Sequence, residues 1–341
     1  MARYGGVAEY FVQLAMGMSR IPQIRPVYCA GIYCNHNLRA NRNLFETRGI
    51  WFPRVYRILK MDLLSDALCT RQIRGLKPDI IHETNYSLLP PGLDVHAKRV
   101  LTVYDMIHEK FMPNTHTPER KRASIARADI ILCISECTRR DLLDFYPNVA
   151  SKTFVTPLGA SVPSGSLQRY SQLEEPYILF VGNRAGYKNY NGLLKAYAGC
   201  PDLYRRVKLV VWGGGEWTHQ EIAQINKLGM QNHIVKLSDS VNLNSLYQHA
   251  ETFVFPSLYE GFGLPLLEAM ANGCPVACSN ASCFPEVAGD EAVYFDPNCT
   301  TSIAQVILTS LTSQRRVFQA PKRYTWGNTV EQTVRLLYTL R

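Results

Sequence analysis

Residues 253–297 read FVFPSLYEGFGLPLLEAMANGCPVACSNASCFPEVAGDEAVYFDP. Three short and nearly all-apolar runs lie along this stretch: Thr252–Phe255, Pro275–Cys278 and Ala292–Phe295. A longer helical stretch, Leu264–Asn272, separates the first two. A run without polar alternation has no solvent face, so each reads as a strand covered on both sides. Strand, helix and strand in that order are the unit of a parallel sheet. Between the first strand and the helix stands Gly261-Phe262-Gly263. Glycine lets the backbone approach a ligand closely, and a helix start offers free N–H groups to an anion. Glu260 precedes that helix and Glu268 lies inside it, with seven residues between them. Carboxylates accept hydrogen bonds from hydroxyls. The segment therefore suits a ligand with sugar hydroxyls at one end and phosphate in the middle.

The same alternation extends in both directions. Strand runs Tyr177–Val181, Lys208–Trp212 and His233–Leu237 come earlier, with helical stretches near Asn191–Ala198, Thr218–Leu228 and Leu243–Ala250. Helical stretches Ser302–Leu311 and Thr329–Leu340 follow. The first half has strand runs Val27–Tyr33, Asp79–Glu83, Val100–Tyr104, Ile130–Ile134 and Thr153–Thr156. Its helical stretches lie near Val7–Met18, Leu63–Gly75, Glu119–Arg127 and Glu136–Phe145. This is an α/β chain of two doubly wound, Rossmann-like domains, with ligands expected where the carboxyl ends of the strands face a cleft. The boundaries are set at 1–165 and 166–341, with Leu158–Pro176 as the seam. Whether the last helix packs back on the first domain is left open. One irregularity stands out. Gly5-Gly6 and the helix from Val7 follow only Met1–Tyr4, too short for a central strand. The first strand of the N-terminal domain is expected to be missing, with the natural start further upstream.

A length of 341 residues fits two domains at roughly 100–200 residues each. Apolar residues make up 46% and charged residues 19%, a globular composition. No apolar run is long enough for a membrane span, and the N-terminus lacks the pattern of a signal peptide. The chain reads as cytoplasmic. The net charge of +9 is uneven: residues 1–165 hold 22 Lys/Arg against 14 Asp/Glu, and residues 166–341 hold 15 against 14. An evenly basic nucleic-acid binder is disfavoured, and no nucleic acid is expected. The ten cysteines form no C-x-x-C and no zinc pattern, so they read as buried reduced thiols, with no metal site.

Three further motifs fall at strand ends. Phe180-Val181-Gly182-Asn183-Arg184-Ala185-Gly186-Tyr187-Lys188-Asn189 follows the strand that opens the second domain. Arg184 and Lys188 on a strand-to-helix turn suit a diphosphate, one by a planar fork and the other as a point charge. Trp212-Gly213-Gly214-Gly215-Glu216 reads as another cleft-facing loop. In the first half, Leu101–Glu109 (LTVYDMIHE) ends a strand with Asp105 and His108, candidates for sugar binding or proton transfer. Ser135 reads as the N-cap of a helix.

Taken together, the loop at Gly5-Gly6, TVYDMIHE, SECTRRDLL, FVGNRAGYKN and the pair Glu260/Glu268 resemble the family 4 glycosyltransferases, of GT-B architecture. The likeness covers nearly the whole chain and looks nearest to mannosyltransferase-like enzymes of bacterial O-antigen and polysaccharide assembly. It implies a donor site for a nucleoside-diphosphate sugar in the second domain. Arg184 and Lys188 would hold the diphosphate, Glu260 the sugar hydroxyls and Glu268 the ribose. The backbone at Gly261, Phe262, Gly263 and Leu264 would hold sugar and phosphate, and Gly5 and Gly6 would approach the phosphates. The resemblance further implies transfer of a hexose, such as mannose, with retention and no metal or other cofactor. Many members carry His-Asp where this chain has Tyr104-Asp105, so the imidazole is not supplied there, and Asp105 and His108 remain the catalytic candidates beside Glu260, Arg184 and Lys188.

Family likeness assigns the acceptor, a glycan or a lipid-diphosphate-linked one, to the first domain. There Arg39, Arg42, Arg48, Arg54, Arg57 and Lys60 surround Trp51, Phe52 and Tyr56. This is either a solvated insertion or a basic-aromatic surface for anionic lipid at the inner face of a membrane. The competing readings are a sugar-nucleotide epimerase or phosphorylase of the same fold, and an inert sugar-nucleotide or nucleic-acid binder.

Overall fold

The structure, a computed structural model, describes residues 6–52, 61–84, 86, 93, 96–161, 165, 167–184, 186–238, 240–312 and 323–340. Two compact units divide the chain: Met1–Gly159 with Arg323–Arg341, and Ala160–Lys322. No helix among the described residues is long and apolar enough to cross a membrane.

In chain order the first unit runs α1 (Gly6–Met18), β1 (Val27–Tyr33), α2 (His36–Ala40), β2 (Glu46–Trp51), α3 (Met61–Leu76), β3 (Ile80–Glu83), β4 (Lys98–Val103), α4 (Ile107–Phe111), α5 (Thr117–Arg127), β5 (Ile130–Cys133), α6 (Glu136–Phe145) and β6 (Thr153–Val155). The second runs β7 (Tyr177–Val181), α7 (Tyr190–Ala198), α8 (Pro201–Tyr204), β8 (Lys208–Trp212), α9 (His219–Lys227), β9 (Ile234–Leu237), α10 (Leu243–His249), β10 (Thr252–Phe255), α11 (Leu264–Ala271), β11 (Val276–Ser279), α12 (Phe284–Ala288), β12 (Val293–Phe295) and α13 (Thr300–Thr312). The last helix, α14 (Trp326–Tyr338), belongs to the first unit.

The second unit holds one six-stranded parallel sheet in the order β12-β11-β10-β7-β8-β9. Every residue of β7, β10 and β11 is buried. Side chains alternate along a strand, so a strand buried throughout needs cover on both faces. On one face Ile178, Phe180, Leu209 and Val211 pack with Leu193, Tyr197, Ile303 and Ile307 from α7 and α13. On the other, the Phe253 ring meets Tyr247 from α10, and the Phe255 ring meets Phe284 from α12.

The first unit has two parallel sheets among the described residues, β1-β2 and β3-β4-β5-β6. Leu101, Val103, Ile131 and Cys133 pack with Ile125 and Leu142 on one face of the larger sheet. Val100, Ile130 and Leu132 pack with Leu336, Leu337 and Leu340 at the chain's end. Helices α1 and α14 approach closely at Gly17, where a Cβ would stand 2.4 Å from Val330 Cγ2. Thr329 Oγ1 donates to Pro157 O at 2.7 Å. Ser135 caps α6, its hydroxyl accepting from Thr138 N–H at 2.9 Å.

Strand β2 is absent from the sequence reading. Its residues, ETRGIW, carry charges and no apolar run, and none is fully buried. As the outer strand of its pair it needs backbone partners on one side only, and its charges bond locally: Arg25 and Arg48 both donate to Glu46. Of the basic-aromatic cluster around it, Arg54, Tyr56, Arg57 and Lys60 lie outside the described residues, as does Gly5.

Phe180 is buried in the sheet with its ring 5.2 Å from that of Tyr190. Phe180→Ala is expected to destabilise the second unit by about 3–5 kcal/mol. The exposed Ile50 changed to Ala is expected to shift the first unit by less than about 0.5 kcal/mol. Urea titrations of the two variants against the parent check both.

Candidate active site

The loops after β7, β8 and β10 leave the same edge of the second unit's sheet, because those strands are parallel. Gly182 N–H donates to Trp212 O at 2.9 Å and ties the first two loops together. Arg184 then turns inward and is only 7% exposed. Its guanidinium donates to Gly213 O (3.0 Å), Gly215 O (3.3 Å) and Glu216 O (2.8 Å). It also donates to both carboxylate oxygens of Glu221, at 2.6 and 3.3 Å, and lies 4.5 Å from the Trp217 ring centroid. The glycine triplet explains how so many carbonyls converge. Gly213, Gly214 and Gly215 have φ of +86°, +73° and +70°. A Cβ on Gly214 would stand 2.6 Å from Arg184 Nη1. Glu221 closes a capping box with Thr218 at the start of α9. Burial would raise its carboxyl, but the bonds from Arg184 and Thr218 outweigh that and hold it below its ordinary value.

Lys188 ends a short 3₁₀ turn, Gly186–Lys188. Asn189 follows at φ +53°, and its side chain donates to Pro297 O at 2.8 Å. That turn sends the Lys188 ammonium to Glu260, with Nζ to Oε1 at 2.6 Å. Ser257 Oγ donates to the same oxygen at 2.8 Å, and Glu260 N–H donates to Ser282 Oγ at 3.1 Å. Glu260 is 8% exposed. Gly261 and Phe262 are buried, and Gly263 stands at φ +84°, with Phe255 and Phe284 close on the side a Cβ would occupy. Helix α11 starts at Leu264 with Pro265 in its first turn, and its N-cap, Gly263, makes no side-chain cap bond. Pro265 has no N–H and the Leu266 N–H donates to Gly263 O at 2.9 Å, so what lies beside the bonded cation and carboxylate is the positive end of the α11 dipole. Glu268 is half-buried, and Tyr247 donates to it at 3.3 Å.

Asp105 and His108 belong to the first unit. Asp105 Oδ1 accepts from Ile107 N–H at 2.9 Å at the start of α4, which carries the half-buried His108. The fully buried Lys121 donates to Asp105 O at 2.8 Å and to Glu109 at 2.6 Å, fixing this turn from below. Tyr104 is buried, and its hydroxyl donates to Thr84 O at 3.1 Å. Burial lifts its phenol well above the ordinary value. Gly6 opens α1 and is exposed.

Sequence reasoning named Arg184, Lys188, Glu260 and Glu268 but missed their partners Glu221, Ser257, Ser282 and Tyr247. Only Glu221 carried a local signal, the Thr218-x-x-Glu221 capping pattern.

The family described as Glycosyltransferase Family 4 matches residues 4–162, and that described as Glycosyl transferases group 1 matches residues 168–330. The O-antigen chain mannosyltransferase B of Escherichia coli is 32% identical over 77% of this chain and 74% of its own length. The chain belongs to the family 4 glycosyltransferases. The serotype-specific mannosyltransferase WbdA of Escherichia coli is 28% identical over 77% of this chain, which spans only 37% of that protein. The crystal structure of Anabaena Alr3699/HepE in complex with UDP and glucose has a TM-score of 0.80 and 16% identity, covering 99% of this chain and 98% of that one. The apo lipopolysaccharide outer core galactosyltransferase WaaB has a TM-score of 0.70 and 14% identity, covering 99% and 97%. Both show a shared fold, GT-B.

In this glycosyltransferase the Arg184–Glu221 pair links the loops after β7 and β8, and its pH response has a definite sign. Glu221 has a lowered folded pKa, so its contribution is present above the ordinary carboxyl value and is lost as pH falls through the lowered one. Acidification is expected to release Arg184 from Trp217 and shift the tryptophan emission. Glu221→Gln is expected to show the shifted emission already at pH 7, while Trp217→Phe removes the signal. Fluorescence titration of the three proteins checks this.

Proposed function

We propose that this glycosyltransferase moves a hexose, with mannose the first choice, from a nucleoside-diphosphate sugar to a glycan or lipid-diphosphate-linked acceptor. Configuration is retained and no divalent metal takes part. The observation that carries the reading is the Lys188–Glu260 pair at the uncapped start of α11. When the bond between the anomeric carbon and the phosphate oxygen breaks, negative charge grows on the departing nucleoside diphosphate. Lys188 and the positive end of α11 are groups of the kind that stabilise such charge. Glu260 accepts from donor-sugar hydroxyls and Glu268 from the ribose. Arg184 already spends its donors on three carbonyls and Glu221. Its role is therefore to hold the loop that carries Lys188. Asp105 and His108 are the first unit's groups for sugar binding and proton transfer. The choice of mannose follows the names of the mannosyltransferase relatives.

A panel of nucleotide sugars scored by thermal shift identifies the donor, since a bound ligand stabilises with its concentration over its dissociation constant. Lys188→Ala and Glu260→Ala are each expected to lower turnover about 10²–10³-fold with the fold intact. EDTA is expected to leave the rate unchanged, and NMR of the early product to show the donor's anomeric configuration. Unchanged turnover in both variants would remove the assigned site.

We also propose that the first unit meets an anionic lipid surface through the edge around β2. Leu44 (54% exposed), Ile50 (55%) and Phe52 (47%) stand there beside the exposed Arg42 and Arg39, whose guanidinium lies 3.5 Å from the Trp51 ring centroid. Apolar groups that insert and cations that meet headgroups are the two parts of interfacial binding. Sedimentation with phosphatidylglycerol vesicles at low salt is expected to carry the protein down. Phosphatidylcholine vesicles are not, and Ile50→Ser with Phe52→Ser is expected to weaken the effect. Equal binding to both lipids overturns it.

A further inference from the structure

Lys121 of α5 is 0% exposed. A cation taken out of water is costly, and apolar side chains of similar volume in place of a buried ion pair are often as stable or more so. Stability alone therefore does not call for a lysine at this position. Its bonds show what it does there.

All its hydrogen bonds among the described residues go to one turn. Nζ donates to Asp105 O at 2.8 Å, to Met106 Sδ at 3.8 Å and to Glu109 Oε2 at 2.6 Å. Asp105 stands just ahead of α4, and Glu109 lies in the middle of it. One ammonium thus spans the segment that carries the Asp105 carboxyl and the His108 imidazole.

Helix α4 has five residues, and a helix of that length does not hold in water without outside support. Met106, at 0% exposure, anchors one end in the core, and Lys110 bonds Asp141 of α6. Rotation of α4 about its axis is set by Glu109. The Glu109 side chain is 5% exposed, with Oε2 on Lys121 and no bond to Oε1 among the described residues. It therefore points inward and serves that one bond. Successive helical side chains differ by about 100° in direction, so an inward Glu109 turns His108 to the side, where it is half-buried. The bond to Asp105 O holds the main chain from which Asp105 Oδ1 accepts the Ile107 N–H at 2.9 Å.

We infer that Lys121 is a positioning residue for the first unit's part in sugar transfer. Through Asp105 O and Glu109 it fixes the rotation of α4, and with it the places of the Asp105 carboxyl and the His108 imidazole. Being fully buried, it acts only through those groups. The inference rests on the reading of Asp105 and His108 as groups for sugar binding and proton transfer.

The test compares Lys121→Met, the double variant Lys121→Met with Glu109→Leu, and Leu132→Ala. Leu132 is buried in the group that packs with the chain's end, apart from α4. Stability is read as the urea midpoint. Turnover is read as nucleoside diphosphate released from the nucleotide sugar that gives the largest thermal shift in the panel. Lys121→Met leaves Glu109 buried without its cation and is expected to lower both midpoint and kcat. The double variant is expected to regain the parent's midpoint, while kcat stays about 10–10²-fold low and the donor KM stays within about twofold of the parent's. Leu132→Ala is expected to lower the midpoint and leave kcat unchanged. Recovery of kcat together with the midpoint in the double variant overturns the inference. So does a loss of kcat in Leu132→Ala equal to that in Lys121→Met, or a change confined to KM. Asp105→Ala and His108→Ala separate this from the underlying reading. Unchanged turnover in both removes that reading and the inference with it. Lost turnover in both, beside a double variant with normal kcat, removes the inference alone.

Discussion

The parallel ladder centred on β7 is the constraint on which the second unit depends. Because β10, β7 and β8 run the same way and pair in register, the three loops that follow them leave one edge together. That edge brings Arg184 to the Gly213, Gly215 and Glu216 carbonyls and Lys188 to Glu260, 72 residues away. The ladder is held by burial of every side chain in β7 and β10, which leaves those strands no face for solvent and no freedom of register. Chemistry at the edge is then a matter of which short loops can be made. The φ > 0 glycines Gly182, Gly213, Gly214, Gly215 and Gly263 are what make them.

What the sequence shows of this follows from where the signal is local. β7, β8 and β10 have their ends where the apolar runs end, because burial on both faces leaves an unbroken run. β2 could not be read, since its pairing is through the backbone and its side chains carry no pattern. Lys188 and Glu260 were legible as a cation and an acid at strand ends, but not as a pair, since the loop that joins them depends on Asn189 at positive φ. Arg184 shows the limit best. A planar fork beside glycines reads equally as a diphosphate clamp and as a loop staple. Only the positions of the Gly213, Gly215 and Glu216 carbonyls and of Glu221 distinguish the two.

The first unit holds a cavity with residues of β1, β3 and α1 among its walls. The ends of β1 and β3 are still well placed by the remaining packing: α14 returns to close one face of the larger sheet, and Gly17 lets it approach α1. Side chains of α3 take up two main-chain polar groups of β1.

The charge distribution gains a meaning from the pairs. The second unit is nearly neutral, with 15 basic and 14 acidic residues from 166 to 341. Both cations singled out in it are bonded to carboxylates, Arg184 to Glu221 and Lys188 to Glu260. A bare phosphate approaching Lys188 must compete with Glu260 and leaves a carboxylate 8% exposed without its cation, an unpaired buried charge that costs several kcal/mol. A ligand that brings phosphate for Lys188 and hydroxyls for Glu260 satisfies both at once. Under the proposed donor site, the pair would work against simple anions and for a sugar joined to a diphosphate, a specificity that a free lysine could not supply.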